Sequence, residues 1–102
     1  MATALFVPAR IVYKQQQTSP VKPDAVVIAN FAYSPETLTV AAGAKVTFTN
    51  TDGAAHTATA DDKSFDSGRL AQGQSFELTV VNSITYYCTI HQYMTASIEV
   101  AG

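Results

Sequence analysis

The chain has 102 residues, 47% hydrophobic and 14% charged, a balance that supports one buried core and argues against a disordered chain. Six Lys and Arg against eight Asp and Glu leave a formal net charge of -2. With no basic run and no Arg-aromatic stripe, this argues against nucleic acid and anionic membrane surfaces as partners. The single cysteine excludes an internal disulfide, all-Cys iron-sulfur ligation, a c-type haem attachment and a copper centre built on two thiolates.

Residues 1–23 stand apart from the rest. Leu5 to Tyr13 is apolar enough for a strand, while Gln15 to Pro23 is polar, contains proline and reads as a linker. The expectation is an N-terminal strand and linker extension, with a remnant beside a membrane anchor as the alternative. Residues 1–17 lack the charged start, long apolar run and small-residue cleavage site of a secretory signal, and no stretch reaches membrane-spanning length.

From residue 24 onward apolar residues recur with period two, the pattern of strands with one buried face. Val26 and Ile28 alternate first, Leu38 and Val40 follow Pro35, and Val46 and Phe48 share a face in the stretch from Lys45 to Asn50. Gly43 turns the second of these runs into the third. After a turn from Gly68 to Gly73, Phe76, Leu78 and Val80 alternate with Ser75, Glu77 and Thr79; Ile84, Tyr86 and Cys88 then fall on one face, and Ile98 and Val100 close the set. Seven to eight short strands separated by turn residues predict an all-β fold, a Greek-key antiparallel β-sandwich spanning residues 24–102.

One constellation carries chemistry. Cys88, His91 and Met94 follow one another at three-residue steps just before the last strand, and His56 lies in a turn after the Val46/Phe48 strand; the chain has no other histidine. Two imidazoles, a thiolate and a thioether suit an ion that alternates between Cu(I) and Cu(II), since sulfur favours the first and imidazole serves both. Zinc fits less well, because a thioether offers it little. A nucleophilic Cys/His pair would need an oriented base and an oxyanion pocket, and the sequence identifies neither. Singly, each residue is ordinary: a buried cysteine, a loop histidine, a core methionine.

The run from Tyr33 to Val40, Gly43 to Asn50, His56, the Phe65 to Gly68 segment, Gly73 to Phe76, and Tyr86 through Met94 occur in an order that resembles the cupredoxins, small type 1 blue copper proteins of the plastocyanin and amicyanin kind. The step from His91 to Met94 resembles the short loop of amicyanin. The resemblance implies one copper ion held by His56, Cys88, His91 and an axial Met94. It also implies a monomeric electron carrier without substrate turnover, periplasmic or otherwise outside the cytoplasm. Its redox protein partners would dock near His91, where Ala54, Ala55, Ile90 and Tyr93 are expected to form a small apolar patch. A copper-sequestering protein without a redox partner, or a metal-free β-sandwich interaction module, are the alternatives.

Three positions depart from the family pattern. Thr57 stands where Asn is common, so a hydroxyl must brace the two ligand loops, through Thr89. Ile90 replaces a proline and restores an N-H expected to donate to the Cys88 sulfur, beside a first bond from the Thr57 N-H. Ala96 replaces a glycine, which is expected to constrain the backbone there.

Overall fold

The alternating runs become eight strands in the computed structural model, which describes residues 24–101. They are β1 (Asp24–Ala29), β2 (Ala32–Ser34), β3 (Thr37–Ala41), β4 (Ala44–Asn50), β5 (Thr59–Ala60), β6 (Ser75–Val80), β7 (Ile84–Tyr87) and β8 (Thr95–Ala101). Two four-stranded sheets result, ordered β2-β1-β4-β6 and β3-β8-β7-β5. The extension expected over residues 1–23 lies outside the described residues.

The all-β sandwich is as the alternation predicts, but its pairing is mixed rather than antiparallel throughout. β1 runs parallel to β4, with Val26 opposite Phe48, and β3 runs parallel to β8, with Leu38 opposite Ile98. The remaining pairings are antiparallel. Alternation specifies which face of a strand is buried and is blind to the direction of its neighbour, so this feature had no local signal. Gly43, at φ 87°, links strands of opposite sheets, and its N-H donates to the Val80 carbonyl at 2.7 Å.

The inner faces meet in one core. Val26, Ile28, Val46, Phe48, Tyr86, Cys88 and Ile98 have no exposed surface. Each large aliphatic or aromatic side chain among them contributes roughly 1.5 to 3 kcal/mol on burial. Leu38, Phe76, Leu78, Ile84 and Val100, all assigned inward by the pattern, pack against this core and stay partly exposed. Tyr33 and Tyr86 meet edge to face with centroids 4.7 Å apart, and Tyr86 does the same with Phe48 at 5.3 Å. These rings share the core with Cys88, two residues beyond Tyr86.

Candidate metal centre

The chain leaves β4 at Asn50 and β7 at Tyr87, and the two loops that follow are tied together. Asn50 shapes the first of them from inside. Its buried amide donates to the carbonyls of Ala54 at 2.9 Å and Leu70 at 2.8 Å, and its Oδ1 accepts the Asp52 N-H at 2.9 Å. His56 then pairs with Leu70 through both backbone groups, N-H to carbonyl at 3.1 Å and carbonyl to N-H at 2.7 Å. A histidine with no exposed surface is thus fixed by its backbone before its ring makes any contact.

The second loop closes on itself. The Cys88 N-H donates to the Met94 carbonyl at 3.1 Å and the Met94 N-H to the His91 carbonyl at 2.9 Å. This curls residues 88–94 so that Cys88 and Met94 are buried while Ile90 and Tyr93 face outward. Between the loops, the Thr57 hydroxyl accepts the Thr89 N-H at 2.9 Å and lies 3.2 Å from the Thr89 hydroxyl and 3.0 Å from that of Thr59. The hydroxyl brace expected from Thr57 to Thr89 is present. Tyr33 adds to it by donating its phenol to the Thr57 carbonyl; burial raises that phenol's pKa, so it stays a donor.

The Cys88 sulfur accepts two backbone N-H groups, from Thr57 and from His91, each at 3.4 Å. The first is as expected. The second corrects the expectation, which placed it on Ile90: the curl that makes the Met94-to-His91 bond turns the N-H of the third residue after Cys88 back toward the sulfur. Ala96, the other departure, sits in β8 opposite Tyr86 and is absent from the positive-φ positions among the described residues, so its methyl is accommodated without strain.

Three donor atoms converge. His56 Nδ1 and His91 Nδ1 lie 3.8 and 3.9 Å from Cys88 Sγ, and 3.2 Å from each other. The circle through three points so spaced has a radius of about 2.1 Å, the length of a bond from a first-row metal to imidazole nitrogen and slightly under the roughly 2.3 Å to thiolate sulfur. The donor set and its spacing therefore fit a copper ion. Met94, 3% exposed, is tied through its backbone to Cys88 and His91.

Three residues that sequence reasoning passed over complete the surroundings: Asn50, Asp52 and Phe31. Asp52 accepts a bond from His56 Nε2 at 2.8 Å. A carboxylate has no proton to offer, so Nε2 carries the hydrogen and Nδ1 presents its lone pair to the sulfur side. The same carboxylate accepts the N-H groups of Asn30 at 2.7 Å and Phe31 at 2.9 Å. These contacts, that of Phe31 first, hold its carboxyl below the usual range against partial desolvation. Phe31 sets its ring edgewise to both imidazoles, 5.1 Å from His56 and 4.9 Å from His91, at 87° and 84°. The only sequence cues to these roles were an Asn in the turn before Phe31 and an Asp four residues before His56, and neither is specific.

A family model described as copper binding proteins of the plastocyanin/azurin family matches residues 24–101. The chain belongs to that family. Solved structures agree with it: a purple cupredoxin from Nitrosopumilus maritimus superposes with a TM-score of 0.71 at 26% identity, covering 76% of this chain and 99% of that one. A Cu(I) form of an amicyanin variant gives 0.71 at 25% identity, over 81% and 88% of the two chains. A Cu-containing nitrite reductase from Thermus scotoductus gives 0.74 at 24% identity; 86% of this chain is covered but only 25% of the enzyme, so that likeness concerns the fold alone. No curated protein matches. For a member of the plastocyanin/azurin family the cofactor is a single type 1 copper, and the residues brought together here suit it.

Proposed function

We propose that this chain carries single electrons between protein partners, and that His56, Cys88, His91 and Met94 would hold its one copper ion. The observation that carries the reading is the closed donor triangle, already at bonding radius and clamped by hydrogen bonds from two loops. Copper bound there would supply a Cu(I)/Cu(II) couple. The protein's part is to keep the donors still. The Thr57 and His91 N-H groups stabilise negative charge on Cys88 Sγ, and the Thr57 hydroxyl locks the loops. Donors that barely move between oxidation states keep the reorganisation on electron transfer small.

Access follows from burial. Cys88 and His56 are fully buried and His91 only half-buried, so the His91 side is the short route to a partner. Of the four residues expected to form an apolar patch, Ile90 and Tyr93 are 40% and 71% exposed while Ala54 and Ala55 are half-buried, and Phe31 is 42% exposed. We take this apolar rim as the docking surface. Substrate turnover has no place in the reading, because a buried, hydrogen-bonded Cys88 cannot reach an incoming electrophile. The working unit is residues 24–102 as a monomer with residues 1–23 as an extension. Its location is outside the cytoplasm, where thiols competing for copper are scarce. Voltammetry of the copper-loaded protein tests the proposal. A fast, reversible one-electron wave is expected, and a slow or irreversible one would favour copper storage.

A further inference from the structure

The Asn30-Phe31 turn breaks a local rule. These two residues connect β1 to β2, with Ala29 opposite Ala32, and both lie in the left-handed region, at φ 53° and 57°. Such a two-residue hairpin turn favours Asn followed by Gly, because a bulky side chain at the second position crowds its own backbone. Phe31 occupies that position. Core burial does not explain it, since the side chain is 42% exposed; what its ring touches is the pair of imidazoles. A strained residue at the edge of a site points to a task there.

The turn is held from outside. One carboxylate, that of Asp52, accepts both turn N-H groups, one on each oxygen, and the oxygen that takes Phe31 also takes His56 Nε2. Asp52 is itself anchored, its N-H held by Asn50, whose amide is pinned to Ala54 and Leu70. The chain from Asn50 through Asp52 thus reaches the first imidazole and the aromatic ring over both imidazoles at once.

We propose that Asp52 is a positioning residue that fixes the His56 tautomer and, through the same carboxylate, latches Phe31 as a lid over His56 and His91. The inference rests on the copper reading above and extends it to how the metal is retained. With the latch closed, His56 cannot rotate without losing its acceptor, and His91 cannot swing outward without displacing the Phe31 edge. Copper release then requires the latch to open.

Asp52→Leu is the sharpest probe, being nearly isosteric and unable to accept. An amide could still turn its one oxygen to Phe31 N-H and His56 Nε2-H, which share a single carboxylate oxygen, whereas two methyl groups leave Asn30, Phe31 and His56 all without that acceptor. His56 should respond by moving its proton to Nδ1, which 15N NMR of the metal-free protein reads directly. Copper transfer from the loaded protein to a chelator should accelerate by about 10-fold or more, as loss of such an outer partner generally does. Phe31→Gly, which suits the turn, should also speed release while leaving the His56 tautomer unchanged. If the carboxylate acts on the lid, the double variant should release copper scarcely faster than Asp52→Leu alone.

A His56 that stays Nε2-H in Asp52→Leu overturns the tautomer role. Multiplying rates in the double variant overturn the latch, and unchanged release in Phe31→Gly removes the lid whatever the fold of Asp52→Leu. Should the wild-type protein give no type 1 copper spectrum, the copper reading fails instead, and the NMR result on the metal-free protein still decides the tautomer role.

Discussion

Thr57→Val removes one hydroxyl from the brace between the two ligand loops and preserves the shape of the side chain. Thr57 is 4% exposed, and its oxygen is the acceptor for the Thr89 N-H at 2.9 Å. In the variant that N-H faces a methyl group in a part-buried site, so the loss exceeds that of an ordinary bond. An unsatisfied donor costs about 1 to 3 kcal/mol. Thr59 is spared, because its hydroxyl keeps Asp66 as a partner at 3.1 Å. A net loss of about 2 kcal/mol corresponds to a fall in Tm of roughly 8 to 16 °C for a domain of this size. Thermal unfolding of the metal-free protein, followed by circular dichroism, is the assay, with Thr57→Ser as the control that retains the hydroxyl. A Tm within about 2 °C of wild type for Thr57→Val would refute the brace as a source of stability.

Other substitutions test separate parts of the structure. Tyr86 Oη is buried with no hydrogen-bond partner among the described residues, so Tyr86→Phe should leave the Tm unchanged or raise it, by up to about 1 kcal/mol of stability; a clear fall would reveal a partner for the hydroxyl. Ile90→Pro should leave the reduction potential in place, since the sulfur's donors are Thr57 and His91; a lowered potential with an intact copper spectrum would return a donor to Ile90. Asp62 is held below its ordinary pKa of 3.8 by the hydroxyl and N-H of Ser64, so its contribution to stability is present above that value and is lost as the pH falls through the lower folded one. Asp62→Asn should therefore differ most from wild type near neutral pH and converge with it in acid, and a gap that widens in acid would reverse the sign.

How far the sequence could be read depended on the range of each interaction. Alternation is local, and it placed Val26, Ile28, Val46, Phe48, Tyr86 and Ile98 in the core. β5 has only two residues, too few for any period to show, and was missed. The parallel pairing of β1 with β4 joins segments whose direction no local pattern records. The three donors His56, Cys88 and His91 were legible because each is a rare residue type whose chemistry narrows its use. Which N-H reaches Cys88 was not legible, because it depends on how residues 88–94 curl. Asp52 and Phe31 were hidden for a similar reason: the bond between them spans 21 residues and exists only once β1 and β4 are paired.

The most direct measurement is the addition of one equivalent of Cu(II) to the purified metal-free protein, with visible absorption and EPR recorded beside the Cys88→Ser variant. Wild type should develop an intense visible band from the copper-thiolate bond and a narrow copper hyperfine splitting, and Cys88→Ser should show neither, because a serine oxygen cannot replace the polarizable sulfur. A weak, pale-blue spectrum in wild type, or an intense band that survives in Cys88→Ser, would contradict a centre built on His56, Cys88 and His91.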